Sequence, residues 1–204
     1  MQITKLQQKG KSESYYIFLD EEQHGTLQLE TIIKNHLKEG IIISEQDFAH
    51  IKEEDDKLTC FSRALKYISS RLKTEKQMRE YLHGLKYGQQ AINEAIEKLK
   101  NYGYINDEYY AKTFIEMAGK TKGKRFIKRE LISKGVSDEC VENNLENQGG
   151  DDEACLNVCN KWLKNKILPL EKKEKEKLYR FLLSRGFEYE TIRHTLNLIQ
   201  EEEI

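Results

Sequence analysis

The chain has 204 residues, with 34 Lys and Arg against 35 Asp and Glu, a formal net charge of -1, and 38% hydrophobic against 34% charged residues; it is short for a multidomain enzyme and polar for one compact globule. Its single proline favours long helices joined by short turns, because proline breaks helices and punctuates sheets and loops. No apolar run approaches the roughly 20 residues that span a bilayer, and the opening residues lack the apolar stretch of a signal peptide, so a soluble cytoplasmic chain without a membrane partner is expected.

The first sixty residues differ from the rest. Residues 2–7 alternate weakly, Gln8 to Ser12 supply a turn, and Tyr15-Tyr16-Ile17-Phe18-Leu19 has the aromatic and branched character of a strand, closed by the polar run from Asp20 to Gly25. A small antiparallel hairpin is predicted. From Thr26 the period becomes helical, with Leu29, Ile32, Ile33 and Leu37 on one face and Gly40 as its C-terminal cap. Ser44 with Asp47 is a capping-box variant opening a short helix that carries Phe48 and Ile51. The run Glu53 to Lys57 is read as a charged, solvated linker.

Beyond it the apolar spacing repeats. Leu82, Leu131 and Leu182 are equivalent positions. Four residues before them stand Met78, Ile127 and Leu178; five after, Tyr87, Val136 and Phe187; ten after, Ile92, Val141 and Ile192; fourteen after, Ile96, Leu145 and Leu196. Gly135 and Gly186 occupy the fourth position after the anchor in the second and third copies, where the first has Lys86. Each copy therefore reads as helix, tight turn, helix, and each is preceded by a further helical segment, over 60–71, 108–118 and 152–165. Capping signals agree: Thr74 with Gln77, Asn106 or Asp107, Ser137, and Asp151 after two glycines. The expected architecture is mainly α, with three tandem three-helix repeats in an extended body after a small β-hairpin and helix unit. The boundaries are 1–57, 58–106, 107–149 and 150–204.

No catalytic constellation emerges. Cys60, Cys140, Cys155 and Cys159 lack zinc-ligand spacing and read as reduced core thiols, and the five histidines share no common spacing. The stretch Gly119 to Arg125 approaches a phosphate-binding loop, but its spacing is one residue short and Arg125 replaces the Ser or Thr that holds magnesium. No enzyme activity, cofactor or metal is expected.

The even charge total conceals a distribution. Residues 1–59 carry net -5, residues 60–135 net +9, and residues 136–204 net -5. A basic centre between acidic ends points to a polyanionic partner or an acidic protein surface. Lys124, Arg125, Lys128, Arg129 and Lys134 stand opposite Ile127 and Leu131, while Arg71, Lys73, Lys76 and Arg79 surround the start of the corresponding helix in the first copy. First turns of helices normally favour acidic residues, so cations there imply negative charge supplied by a partner. The set expected to contact it is Arg71, Lys73, Arg79, Lys124, Arg125, Lys128 and Lys134.

These stretches resemble the RecX family of regulators of the RecA recombinase. Arg71-Leu-Lys-Thr-Glu-Lys-Gln-Met-Arg-Glu-Tyr-Leu82 is similar to the family's R-x-R-[ST]-E-x-E-L-R-x-x-L element. Leu99-Lys-Asn-Tyr-Gly-Tyr-Ile-Asn-Asp-Glu-Tyr-Tyr-Ala111 looks like its G-Y-[IL]-[DN]-D segment, and Gly123 to Gly135 like its G-x-x-x-I-x-x-E-L-x-x-K-G element. Tyr104 and Ala111 read as packing residues and Asp107 as a cap. Leu85-Lys86-Tyr87-Gly88 inverts the usual Lys-Gly-aromatic order, so that turn is expected to differ in shape. The resemblance implies a non-enzymatic, monomeric modulator lying along the groove of the RecA-DNA filament, where it alters recombinase and ATPase activity in DNA repair, homologous recombination and the SOS response. DNA would be met weakly or within the filament. The alternative, drawn from the basic centre alone, is a helical-repeat protein binding single- or double-stranded DNA directly and with weak specificity.

Overall fold

The computed structural model describes residues 1–164, 166 and 169–201, the last two without their side chains. Asn165, which closes the segment predicted over 152–165, and the last three residues of the third repeat lie outside them. The chain divides into two compact units, Met1–Leu72 with Met78–Ile105, and Lys73–Gln77 with Asn106–Ile204.

The first unit begins with three antiparallel strands, β1 (Ile3–Gln8), β2 (Ser14–Leu19) and β3 (Glu22–Gln28), in that order across the sheet. The sequence suggested only the hairpin of β1 and β2. The third strand is hard to see because its first half, Glu22-Gln23-His24, is polar and only Leu27 is buried. What commits it to the sheet is the tight two-residue turn at Asp20 and Glu21, with φ of 47° and 71°, which returns the chain in register so that Leu19 faces Glu22. The helix expected from Thr26 is accordingly shorter, α1 (Leu29–Lys34). Gly40 lies beyond it, donating its amide to the carbonyl of Ile3 at 2.7 Å.

One long helix, α2 (Glu45–Ile68), opens at Ser44, whose hydroxyl accepts from the amide of Asp47 at 3.0 Å. It runs without a break through the segment read as a solvated linker, and Asp55 within that segment is 2% exposed. The carboxylate is buried because it serves the sheet unit: Oδ1 accepts from the backbone amide of Gln28 at 2.7 Å and from the hydroxyl of Thr31 at 2.6 Å. Two helices predicted separately thus become one. Its first half closes a core of Ile3, Ile17, Leu19, Leu27, Ile32 and Ile51 under the sheet. Its second half presents Cys60 and Ala64 to α3 (Glu75–Gly84) and α4 (Gln89–Asn101), around Met78, Leu82, Ile92, Ile96 and Leu99.

The second unit holds two further three-helix sets, α5 (Asp107–Ala118), α6 (Lys124–Ser133) and α7 (Asp138–Glu146), then α8 (Asp152–Leu163), α9 (Lys172–Ser184) and α10 (Tyr189–Glu201). Their cores centre on Ile127, Leu131 and Val141, and on Leu178, Leu182, Phe187 and Ile192. Of the repeated apolar positions, all are buried except Tyr87 and Leu196, which pack half-buried against their cores. Cys155 and Cys159 are free thiols inside the last set, and burial pushes Cys159 up to about 12. Among the described residues no group of His, Cys, Asp or Glu is placed to hold a metal ion, and no helix is long and apolar enough to cross a membrane.

Within this unit the start of α6 meets the end of α9, and the segment 73–77 meets the end of α6. The hydroxyl of Thr74, which caps α3, donates to the carbonyl of Lys134 at the end of α6 at 2.6 Å, and Lys76 Nζ reaches the carbonyl of Ser133 at 3.0 Å. One copy further on, the amide of Gly123 donates to the carbonyl of Arg185 at the end of α9 at 3.0 Å. Placing the negative end of one helix dipole against the positive end of the other is favourable. A second device repeats beside it. Asp107 Oδ1 accepts from the amide of Glu75 at 2.9 Å, and Asp151 Oδ2 from the amide of Lys124 at 2.8 Å. Asn106 caps its own helix, accepting from Tyr109. Asp107, read as a local cap, instead caps a helix of the preceding copy.

Candidate functional site

The basic surface is built on α6, whose first turn contains no acidic residue and whose N-cap, Gly123, offers no side chain. The negative charge that the sequence led us to seek from a partner is supplied in part by the chain itself, through Asp151. That carboxyl is 7% exposed; burial pushes its pKa up, opposed by the Lys124 amide and then the Lys124 charge. Its Oδ1 and the Oε1 of Gln148 are buried without a hydrogen-bond partner among the described residues.

The cations expected to form the contact set are used unequally. Lys124 turns inward, its ammonium donating to the carbonyl of Gln148 at 3.1 Å. Lys128 is held between Asp138, at 3.1 Å, and Glu142, and its pKa is raised first by the bond to Glu142 and then by that to Asp138. Lys134 lies 4.0 Å from Glu130 and is mainly covered. Arg125 projects outward, its side chain 66% exposed, with only a 3.6 Å approach to Glu188. Lys73, in the connection before α3, is half-buried and falls in this same unit. Arg71 and Arg79 belong to the first unit: Arg71 is exposed, while the Arg79 guanidinium donates to Asn93 Oδ1 at 2.8 Å.

Beside Arg125 the structure gathers residues outside that set. Lys122 Nζ sits 4.2 Å from the centroid of the Phe126 ring and the Arg129 guanidinium 5.5 Å from it, while Arg185 lies 4.7 Å from the ring of Phe181. Arg125, Phe126, Arg129, Leu183 and Ser184 line a hollow of about 350 Å³. Among the described residues Lys122, Arg129 and Arg185 meet no carboxylate at ion-pair distance. Burial first, and then the like charge of Arg185, lower the pKa of Lys122, with Glu130 opposing them. Arg185 could have been found in the sequence, because it stands three residues after Leu182, as Lys134 stands three after Leu131. Phe126 could not, since nothing in the spacing separates a ring under two cations from a core ring.

Tyr104 was expected to pack, but it is 52% exposed, whereas Ala111 is fully buried in the second core.

Comparison with known proteins adds the following. Three family models match, described as RecX first three-helix domain over residues 60–99, second over 106–145 and third over 151–196. A regulatory protein RecX from Clostridium botulinum (strain Alaska E43 / Type E3) is 34% identical over 200 residues, covering 94% of this chain and 92% of its own. One from Listeria monocytogenes serovar 1/2a is 33% identical over 195 residues, 92% of this chain and 71% of its own. A crystal structure of regulatory protein RecX is similar in fold, with TM-score 0.65 and 21% identity over 96% of this chain and 98% of the other. RecX from Lactobacillus salivarius gives TM-score 0.63 and 27% identity over 72% of this chain and 98% of its own.

Proposed function

Because the chain belongs to the RecX family of regulatory proteins, we propose that it is a non-catalytic regulator that binds the filament formed by the RecA recombinase on DNA and restrains its recombinase and ATPase activity. It would act in the cytoplasm as a monomer lying along the filament groove, in DNA repair, homologous recombination and the SOS response. The observation that carries the reading is the cationic surface at the start of α6, where Lys122, Arg129 and Arg185 crowd two aromatic rings without carboxylate partners among the described residues. A surface in that state gains when a partner supplies negative charge, and a filament of protein and DNA offers it from both components. Arg71, Lys73, Arg79, Lys124, Arg125, Lys128 and Lys134 are assigned to the same contact, with Arg125 the most outward-facing on α6.

The test follows from which cations have internal duties. Reversing Lys124 or Lys128 would break contacts to Gln148, Asp138 and Glu142, so lost binding would be confounded with lost stability. Arg125→Glu combined with Arg129→Glu changes two exposed side chains, at the loss only of surface contacts to Glu188 and to the Phe126 ring. Co-sedimentation with preassembled filaments should show about tenfold or greater weakening, as several repulsive contacts at about 1 kcal/mol each would produce, with helix content unchanged. Undiminished co-sedimentation of that variant would remove this surface from the contact.

A further inference from the structure

In the first unit α4 ends in a left-handed turn at Gly103, φ 72°. The amide of Gly103 donates to the carbonyl of Lys100 at 2.8 Å and that of Tyr104 to the carbonyl of Leu99 at 2.8 Å, which is the double closure of a Schellman motif. Ile105, 4% exposed, anchors the segment immediately afterwards. The tyrosines on either side of the glycine are therefore fixed in place, yet they face solvent, Tyr102 at 67% exposure and Tyr104 at 52%. Their rings form a row with Phe61 of α2. Tyr104 and Tyr102 are 6.0 Å apart at 47°, Tyr102 and Phe61 6.2 Å apart at 41°, and Lys98 Nζ lies 5.6 Å over Phe61. Phe61 and Lys98 also line a cleft of about 500 Å³, whose lining includes Arg63 and Lys66 of α2, Glu13 just before β2 and Glu30 of α1. Arg63, Lys66 and Lys98 are exposed.

We propose that Phe61, Tyr102 and Tyr104 form a stacking platform for the unpaired bases of single-stranded nucleic acid, with Arg63, Lys66 and Lys98 facing its phosphates. A held row of rings, the two tyrosines facing solvent and Phe61 half-buried behind them, beside cations offers both parts of such a strand a partner: base faces meet the rings, and the charged backbone meets the lysines and arginine. An acidic polypeptide would use the cations and leave the rings idle. A duplex would hide its base faces from them. The inference goes beyond the filament reading and does not depend on it.

The experiment uses the full chain without recombinase, titrated by fluorescence anisotropy against a labelled oligothymidylate and against an abasic deoxyribose-phosphate strand of the same length. The base-bearing strand should bind about tenfold tighter or more, the size expected from base-aromatic stacking. Tyr102→Ala with Tyr104→Ala should abolish that preference at unchanged helix content, and Tyr102→Phe with Tyr104→Phe should keep it. Equal affinity of the wild type for both strands, showing phosphate contact alone, would overturn the proposal, as would an alanine variant that retains the preference. Either result leaves the filament reading untouched, and a failure of the filament reading leaves the oligonucleotide titration standing.

Discussion

At the fourth position after the anchor leucine the three copies carry Lys86, Gly135 and Gly186, with φ of 65°, 93° and 86°. The turn in the first copy, expected to differ in shape, has the same closure as the others: Tyr87, Val136 and Phe187 donate to the carbonyls of Leu82, Leu131 and Leu182. Lys86 therefore holds a left-handed backbone that costs a residue with a Cβ about 1–2 kcal/mol, part of which a glycine would return to greater freedom in the unfolded chain. Lys86→Gly should stabilise the protein by about 0.5–1 kcal/mol, read as a higher urea midpoint; an unchanged or lower midpoint would show the turn is not strained. Asp151 sets a second residue-level expectation. Burial raises its folded pKa, so its contribution to stability is present below the unfolded carboxyl pKa and is lost as pH rises through the raised value. Asp151→Asn keeps an acceptor for the Lys124 amide and removes the ionisation. Its stability relative to the wild type should therefore rise as pH climbs from the unfolded carboxyl pKa through the raised folded value, and parallel stability curves for the two proteins would contradict this.

Between elements, glycine has a second duty that the spacing alone does not disclose. A Cβ on Gly135 would overlap the side chain of Lys76 in the first turn of α3, and one on Gly186 the backbone of Phe126 in the first turn of α6. Lys86 is exposed, so it has only the dihedral to satisfy, which is why lysine is tolerated there. Gly186→Ala should then cost about 2–4 kcal/mol in denaturant unfolding, dihedral and overlap together, and Gly135→Ala less, because a flexible lysine can move aside. Equal, small losses would argue against the close approaches at Lys76 and Phe126. The helices themselves were legible in the sequence because their apolar residues recur at the period of the helix and because Ser44, Thr74, Asn106 and Ser137 are ordinary side-chain caps. The third strand and the continuity of α2 were not. Glu22 to His24 carry no alternation, and a run of four acidic residues looks solvated until Asp55 is seen to accept from Gln28 and Thr31, residues more than twenty positions away.

For the whole molecule, the near-zero net charge conceals a basic stretch from 60 to 135, and that much of the site could be read directly. The division of labour among its cations could not, because pairing of Lys128 with Asp138 and Glu142, or of Lys124 with Gln148, depends on the turn between helices rather than on either helix. The same holds for Tyr104, which reads as a packing residue until the turn at Gly103 places it in solvent. The central claim is that this chain restrains RecA through its filament. It is tested most directly by titrating the chain, at substoichiometric ratios, into RecA assembled on single-stranded DNA and following ATP hydrolysis. The account predicts progressive suppression well below one chain per recombinase subunit, weakened in the Arg125→Glu and Arg129→Glu variant; an unaltered rate of hydrolysis at every ratio would contradict it.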